Sequence, residues 1–201
     1  MGLDMYLERI PKDLTLEEYN GLLLYKYYLQ YKQSHPDITL RKFGGRSARK
    51  PSKEILKKYK DVNVCEDIGY WRKANAVHDW FDRHLGGLEN CEEKEVSKEL
   101  LEKLLSDCKK VLGKSKLVEG KVQNGATFVN NKWTPNMGDG QVIEDPSYAQ
   151  ELIPTAEGFF FGGTDYDEYY VDKLEQTVEI VENALATTDF SKYRIMYHGW
   201  W

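Results

Sequence analysis

The chain has 201 residues, 41% hydrophobic and 30% charged, with a formal net charge of −5, a length that supports one sizeable core and a single elaborated domain. Its three cysteines, Cys65, Cys91 and Cys108, are widely spaced and form no CxxC pair, which argues against a disulfide framework and against a zinc site. No apolar run is long enough for a membrane span and the start lacks a signal-peptide pattern, so no membrane association is expected and a reducing cytosol is the expected setting.

The net charge hides an asymmetry. From Arg41 to Lys60 there are nine Lys or Arg against one acid, Glu54, whereas from Asp139 to Asp189 there are thirteen acids against Lys173 alone. Nucleic acid would be drawn to the first stretch and repelled by the second, so it is disfavoured as a partner.

In chain order, Leu3, Met5 and Leu7 alternate with polar neighbours, the period of a half-buried strand. Thr15 and Glu18 form a capping box that opens a helix to about Gln33, with Tyr25, Tyr27, Tyr28 and Tyr31 on its surface. Residues 36–62 read as a basic elaboration, a loop or hairpin followed by a short Lys-rich helix. A helix is expected over residues 66–84, stopped by Gly86 and Gly87, and another from Ser97 to Gly113 with a Leu-rich inner face. Residues 114–146 read as turns and short extended pieces around Asn124-Gly125, Asn130-Asn131 and Gly138-Asp139-Gly140. A short helix opens at Pro146, and residues 158–163, with Phe159, Phe160 and Phe161, read as a strand buried on both faces. Thr164, Asp165, Asp167 and Glu168 open a further helix, and Tyr193, Ile195 and Tyr197 mark a last strand before Trp200 and Trp201. The expected fold class is α+β, a single domain with a small, mostly antiparallel sheet covered by helices on one side.

Two clusters carry chemistry. In YWRKANAVHDWF, residues 70–81, aromatic rings share a segment with Arg72, Lys73, Asn75 and His78, the mixture that an anionic, ring-containing ligand needs. Drawn as a helix, the segment puts Trp71, Asn75 and His78 on one flank, with Lys73 and Trp80 on the other. A buried amide or imidazole without a partner costs about 1–3 kcal/mol, so Asn75 and His78 each require one, from protein or ligand. The second cluster, GGTDYDEYY at 162–170, offers flexible glycines, Thr164, Asp165, Tyr166 and Tyr169 at a helix opening. Backbone N–H groups there can meet an anion, while the acids suit ribose hydroxyls or a base amino edge. The competing reading is structural: Trp71 as core, Asn75 and His78 as internally bonded groups, Thr164 and Asp165 as helix caps.

The opening MGLDMYL, the helix YWRKANAVHDWF, the stretch VEGKVQNG at 118–125, the segment FFFGGTDYDEYY at 159–170 and the terminal Trp together resemble a group of small, functionally uncharacterised proteins of bacteriophages and prophages. The resemblance covers residues 1–8 and most of 65–201, and departs over residues 12–62, where such proteins have a shorter linker. It implies an accessory protein of a phage acting in the host bacterial cytoplasm, and it assigns no residue roles.

The favoured function is a binding module that sequesters a small nucleotide-like ligand, a candidate host immune signal, without turning it over. Its expected ligand residues are Trp71, Arg72, Asn75, His78, Thr164, Asp165, Tyr166 and Tyr169, with no catalytic residue, cofactor or metal. The alternative is a protein–protein inhibitor of a host defence or metabolic enzyme, using Trp80, Lys73 and Trp201 as surface. A third reading is a small hydrolase with His78 as base and Asp165 or Asp167 beside it. The aromatic share, 13%, exceeds the needs of one core and favours a homo-oligomer whose shared pocket would employ Trp80 and Trp201.

Overall fold

The computed structural model describes residues 2–60, 65–129, 131–158 and 161–201, with the side chains of Ala126, Val129 and Trp133 outside the description. The chain is α+β. Strand β1 (Asp4–Pro11) leads to α1 (Leu16–Ser34) and the short helices α2 (Leu40–Gly44) and α3 (Lys53–Lys58). Next come β2 (Glu66–Arg72), α4 (Asn75–Leu85), β3 (Lys94–Val96) and α5 (Lys98–Leu112). The long strands β4 (Leu117–Val129) and β5 (Lys132–Ile143) precede α6 (Ser147–Leu152), α7 (Glu168–Thr187) and β6 (Tyr193–Trp200).

The main sheet has the order β2-β1-β6-β3 with every pairing antiparallel, so the first and last strands of the chain lie side by side at its centre. Alternation along β1 sends Leu3, Met5 and Leu7 to one face, where they are fully buried with residues of α4, α5 and α7. Ile10 and Met196 face the other way and form a second cluster with Leu14, Tyr19 and Leu22 under α1, and with Tyr59 after α3. Helices therefore cover both faces, not one as expected. The apolar side chains of β1 and β6 are divided between the two faces, and each set needs cover.

The expected helix over residues 66–84 is two elements. Residues 66–72 pair with β1, where Tyr6 faces Tyr70 and Met5 faces Trp71. The buried residues Gly69 and Trp71 alternate with exposed Tyr70 and Arg72, the two-residue period of a strand. Gly69 is required by packing: a Cβ there would lie 2.4 Å from Cγ2 of Ile180 on α7. The chain then reverses through Lys73, whose φ of 55 is left-handed, and α4 begins at Asn75.

Residues 114–146 hold a single long hairpin where short pieces were expected, paired from Leu117–Ile143 to Val129–Lys132. Asn124-Gly125 is a bulge within β4, with Gly125 at φ 82, and the chain reverses at Asn131, φ 60. Of the expected strand at 158–163, Phe159 and Phe160 lie outside the described residues, while Phe161 to Gly163 form bends and loop. Helix caps follow local chemistry. Thr15 and Glu18 make the reciprocal capping box of α1, and Ser97 caps α5. At α7 the cap is Asp167, whose carboxylate accepts from the Tyr170 amide at 3.0 Å, not Thr164 or Asp165. Among the described residues no helix is long and apolar enough to cross a membrane.

Candidate functional site

The two clusters meet at the start of α4. Asn75 is 4% exposed, and its carboxamide holds the backbone at three points, Ala156, Phe161 and Gly163. Its Nδ2 donates to the carbonyls of Gly163 at 2.7 Å and Phe161 at 3.2 Å, and its Oδ1 accepts from the Ala156 amide at 3.1 Å. Gly162, φ 98, packs flat on Lys73, where a Cβ would come within 3.2 Å of the lysine Cβ. The loop is tied further by Thr155, whose amide donates to the Tyr166 hydroxyl at 3.1 Å and whose hydroxyl donates to the Thr164 carbonyl at 3.0 Å.

Between this loop, the start of α4 and the first turns of α7 lies a narrow cleft with about 20 Å³ of free space, room for about one water. The first turn of α4, Asn75 to Val77, forms one wall, and among the described residues no side chain caps this helix. Among the described residues the amides of that turn have no hydrogen-bond partner, and the positive end of the helix dipole faces the cleft. Lys73 and Lys173 line it too, and neither is in an ion pair among the described residues. Lys173 Nζ stands 4.9 Å from the Tyr169 ring centre and donates to Gln176 at 3.1 Å. Tyr169, 42% exposed, donates its hydroxyl to the Arg72 carbonyl at 3.3 Å, and its phenol is shifted above the ordinary range by burial and by Asp167. Asp165 closes the rim, accepting from the Gln123 amide of β4 at 3.3 Å.

Several expected ligand residues are placed elsewhere. Trp71 is fully buried and its indole N–H donates to Thr177 at 2.9 Å, so it has no face to offer a ligand. His78 is buried outside the cleft lining, sharing a 2.7 Å hydrogen bond with the Tyr197 hydroxyl and packed against Phe161 and Trp201. Burial holds its pKa below the ordinary value against the opposing pull of Asp82 and Asp79. Arg72 points its exposed guanidinium to Asp4 at 3.3 Å. Tyr166 is committed to Thr155 and to the Tyr170 ring, 5.0 Å away, and Thr164 is exposed beside the cleft. Asn75 builds the cleft through backbone partners. The three groups of the hydrolase reading have separate partners: His78 has Tyr197, Asp165 has Gln123, and Asp167 has Tyr170.

The expected surface also changes. Trp80 is fully buried, donating to Asp107 at 3.3 Å and stacking on His84 at 3.9 Å. Trp201 is half-buried against His78 and pinned through its backbone to Asn90, whereas Trp200 is 62% exposed. Lys73 belongs to the cleft.

Sequence reasoning missed Lys173 because it counted the residue only as the lone base of an acidic third. Its spacing of four from Tyr169 on one helix face was the available signal. Comparison with protein-family models, curated proteins and solved structures gives no match, so the reading of this site rests on its own geometry.

Proposed function

We propose that the chain binds and sequesters a small phosphate-bearing, nucleotide-like ligand in the cleft at the start of α4, without turning it over. The observation that carries this reading is the meeting, in one cleft, of a helix start and two lysines that among the described residues have no side-chain cap and no ion pair. Helix amides and ammonium groups together favour an anion. The Tyr169 ring replaces Trp71 as the flat surface for a base, and Asp165 suits a hydroxyl or amino group. The free space inside the cleft is only about 20 Å³, so the cleft itself admits the anionic end of a ligand and the remainder would lie over the exposed side of Tyr169. In the phage setting that the sequence resemblance implies, such capture withdraws a host signal from its receptor.

Calorimetry of the purified chain against cyclic and linear nucleotides and ADP-ribose derivatives tests the reading, with chromatography of the ligand recovered after denaturation. Binding with unaltered ligand is expected, and Lys73→Ala with Lys173→Ala together should weaken it by about tenfold or more. Absence of heat across the panel contradicts binding, and a converted ligand contradicts sequestration.

A second reading, inhibition of a host protein through surface contact, is favoured by exposed Tyr27, Leu29 and Tyr31 on α1 and by Phe128 and Met137 on the hairpin. Pull-down from bacterial lysate with a Tyr27→Ser, Tyr31→Ser control tests it, and equal recovery of every protein by both chains would oppose it.

A further inference from the structure

On the sheet face opposite Leu3, Met5 and Leu7, at the edge of the cluster under α1, a second group of side chains converges from sequence-distant strands. Glu8 of β1 stands opposite Asp67 of β2 in the strand register. Cys65 lies at the bend that leads into β2, two residues before Asp67. The Cys65 sulfur and one oxygen from each carboxylate all lie within 4.8 Å of one another. The thiol is within hydrogen-bonding reach of Glu8 and of Tyr19. Behind Glu8, His198 Nε2 lies 3.5 Å from one carboxylate oxygen and the Tyr19 hydroxyl 3.5 Å from the other. Glu93 adds a further carboxylate whose charge reaches Glu8 and His198.

We propose that Glu8, Cys65 and Asp67 form a binding site for a zinc-class divalent cation, with His198 and Tyr19 orienting the Glu8 carboxylate behind it. The donor set of one thiolate and two carboxylates selects a borderline-soft ion over magnesium or calcium, which take oxygen alone. Donors around zinc, with bonds of about 2.0–2.3 Å, stand roughly 3.3–3.7 Å apart, so side-chain shifts of about an ångström close the set. Three protein donors leave a coordination position for water. On binding, the Cys65 S–H bond breaks, a sulfur–metal bond forms and the proton leaves to solvent, with no change of oxidation state. The two carboxylates and the thiolate bring together negative charge that a dication neutralises, and the second contacts to Glu8 are of the kind that tune metal sites. The sequence could not show this, because its ligands lie at positions 8, 65 and 67 and form no spaced motif.

The test is titration of the full chain, stripped with chelator and kept reduced, with cobalt(II), followed by the thiolate-to-cobalt charge-transfer absorption. Saturation near one equivalent is expected, and zinc should bleach the band. Cys65→Ser should abolish it, Cys91→Ser should leave it intact, and substitution of the exposed Asp67, Asp67→Asn, should weaken binding by about tenfold or more while keeping the native circular dichroism. Absence of the band, its persistence in Cys65→Ser, its loss in Cys91→Ser, or unchanged affinity in natively folded Asp67→Asn would each overturn the assignment.

Discussion

The Asn75 carboxamide donates to the carbonyl of Gly163 at 2.7 Å, across 88 residues of sequence, and so joins the start of α4 to the loop that walls the cleft. The same side chain also serves Phe161 and Ala156, so one residue satisfies three backbone groups that lie outside helices and strands. Such a loop keeps its shape only while those groups are bonded.

Removal of that side chain should loosen the loop more than the fold. Asn75→Ala is expected to cost about 2–4 kcal/mol, because its backbone partners lose their bonds in a buried place. Urea denaturation reads the loss, and hydrogen exchange should show faster exchange at Ala156 than in β1. Uniform exchange change across the sheet would oppose the clamp role.

Trp71 should matter to stability and not to ligand. Trp71→Phe keeps most of the buried ring and drops the bond to Thr177, so a loss of about 1–2 kcal/mol is expected with ligand affinity unchanged. A changed affinity at unchanged stability would return Trp71 to the site.

Asp107, 2% exposed, accepts from Lys103 at 2.6 Å and from the Trp80 indole at 3.3 Å. Burial alone would raise its pKa, but the hydrogen bonds from Lys103 and Trp80 leave it below the ordinary carboxylate value. A carboxylate depressed on folding contributes stability that is complete above its unfolded pKa and is lost as pH falls through the folded one. Asp107→Asn should therefore be less stable than the parent near neutral pH, by about 1–3 kcal/mol, and the two curves should converge in acid. Curves that stay parallel down to strong acid would show that the charge contributes nothing.

His78 works in a different window. Its pKa is lowered by burial, so below the ordinary histidine value the unfolded chain takes up the proton first and stability falls with pH until the folded ring titrates. His198, raised by Glu8, changes in the opposite sense, and Asp79 and Asp82 both act on the His78 ring. The difference between parent and His78→Gln isolates the effect: the parent should lose stability relative to the variant as pH falls below about 6.5. A constant difference from pH 5 to 8 would contradict a buried neutral imidazole.

Local signals were enough where a few neighbouring residues decide the structure. The Thr15–Glu18 box, the alternation of β1 and β6 and the Leu-rich face of α5 all identify their elements from within. Residues 66–72 were not legible in this way. Tyr70, Ala74, Val77 and Phe81 share a helical stripe, and only the fit of Gly69 beneath Ile180 and the pairing with β1 make the first part a strand. Trp80 was equally opaque, since its partner Asp107 lies on another helix. At the site, composition singled out the 70–81 and 162–170 clusters, but the roles inside them were not legible. Strand geometry turns Trp71 into the core, and the helix start offers backbone amides that no side-chain motif announces.

The most direct test of the cleft is an amide-resolved NMR titration of the labelled chain with the tightest-binding nucleotide of the panel. The account expects the largest shifts at the amides of Ala76 and Val77, with Tyr169 and Lys173 following and the β4–β5 tip unmoved. Saturable binding whose shifts avoid the first turn of α4 would contradict it.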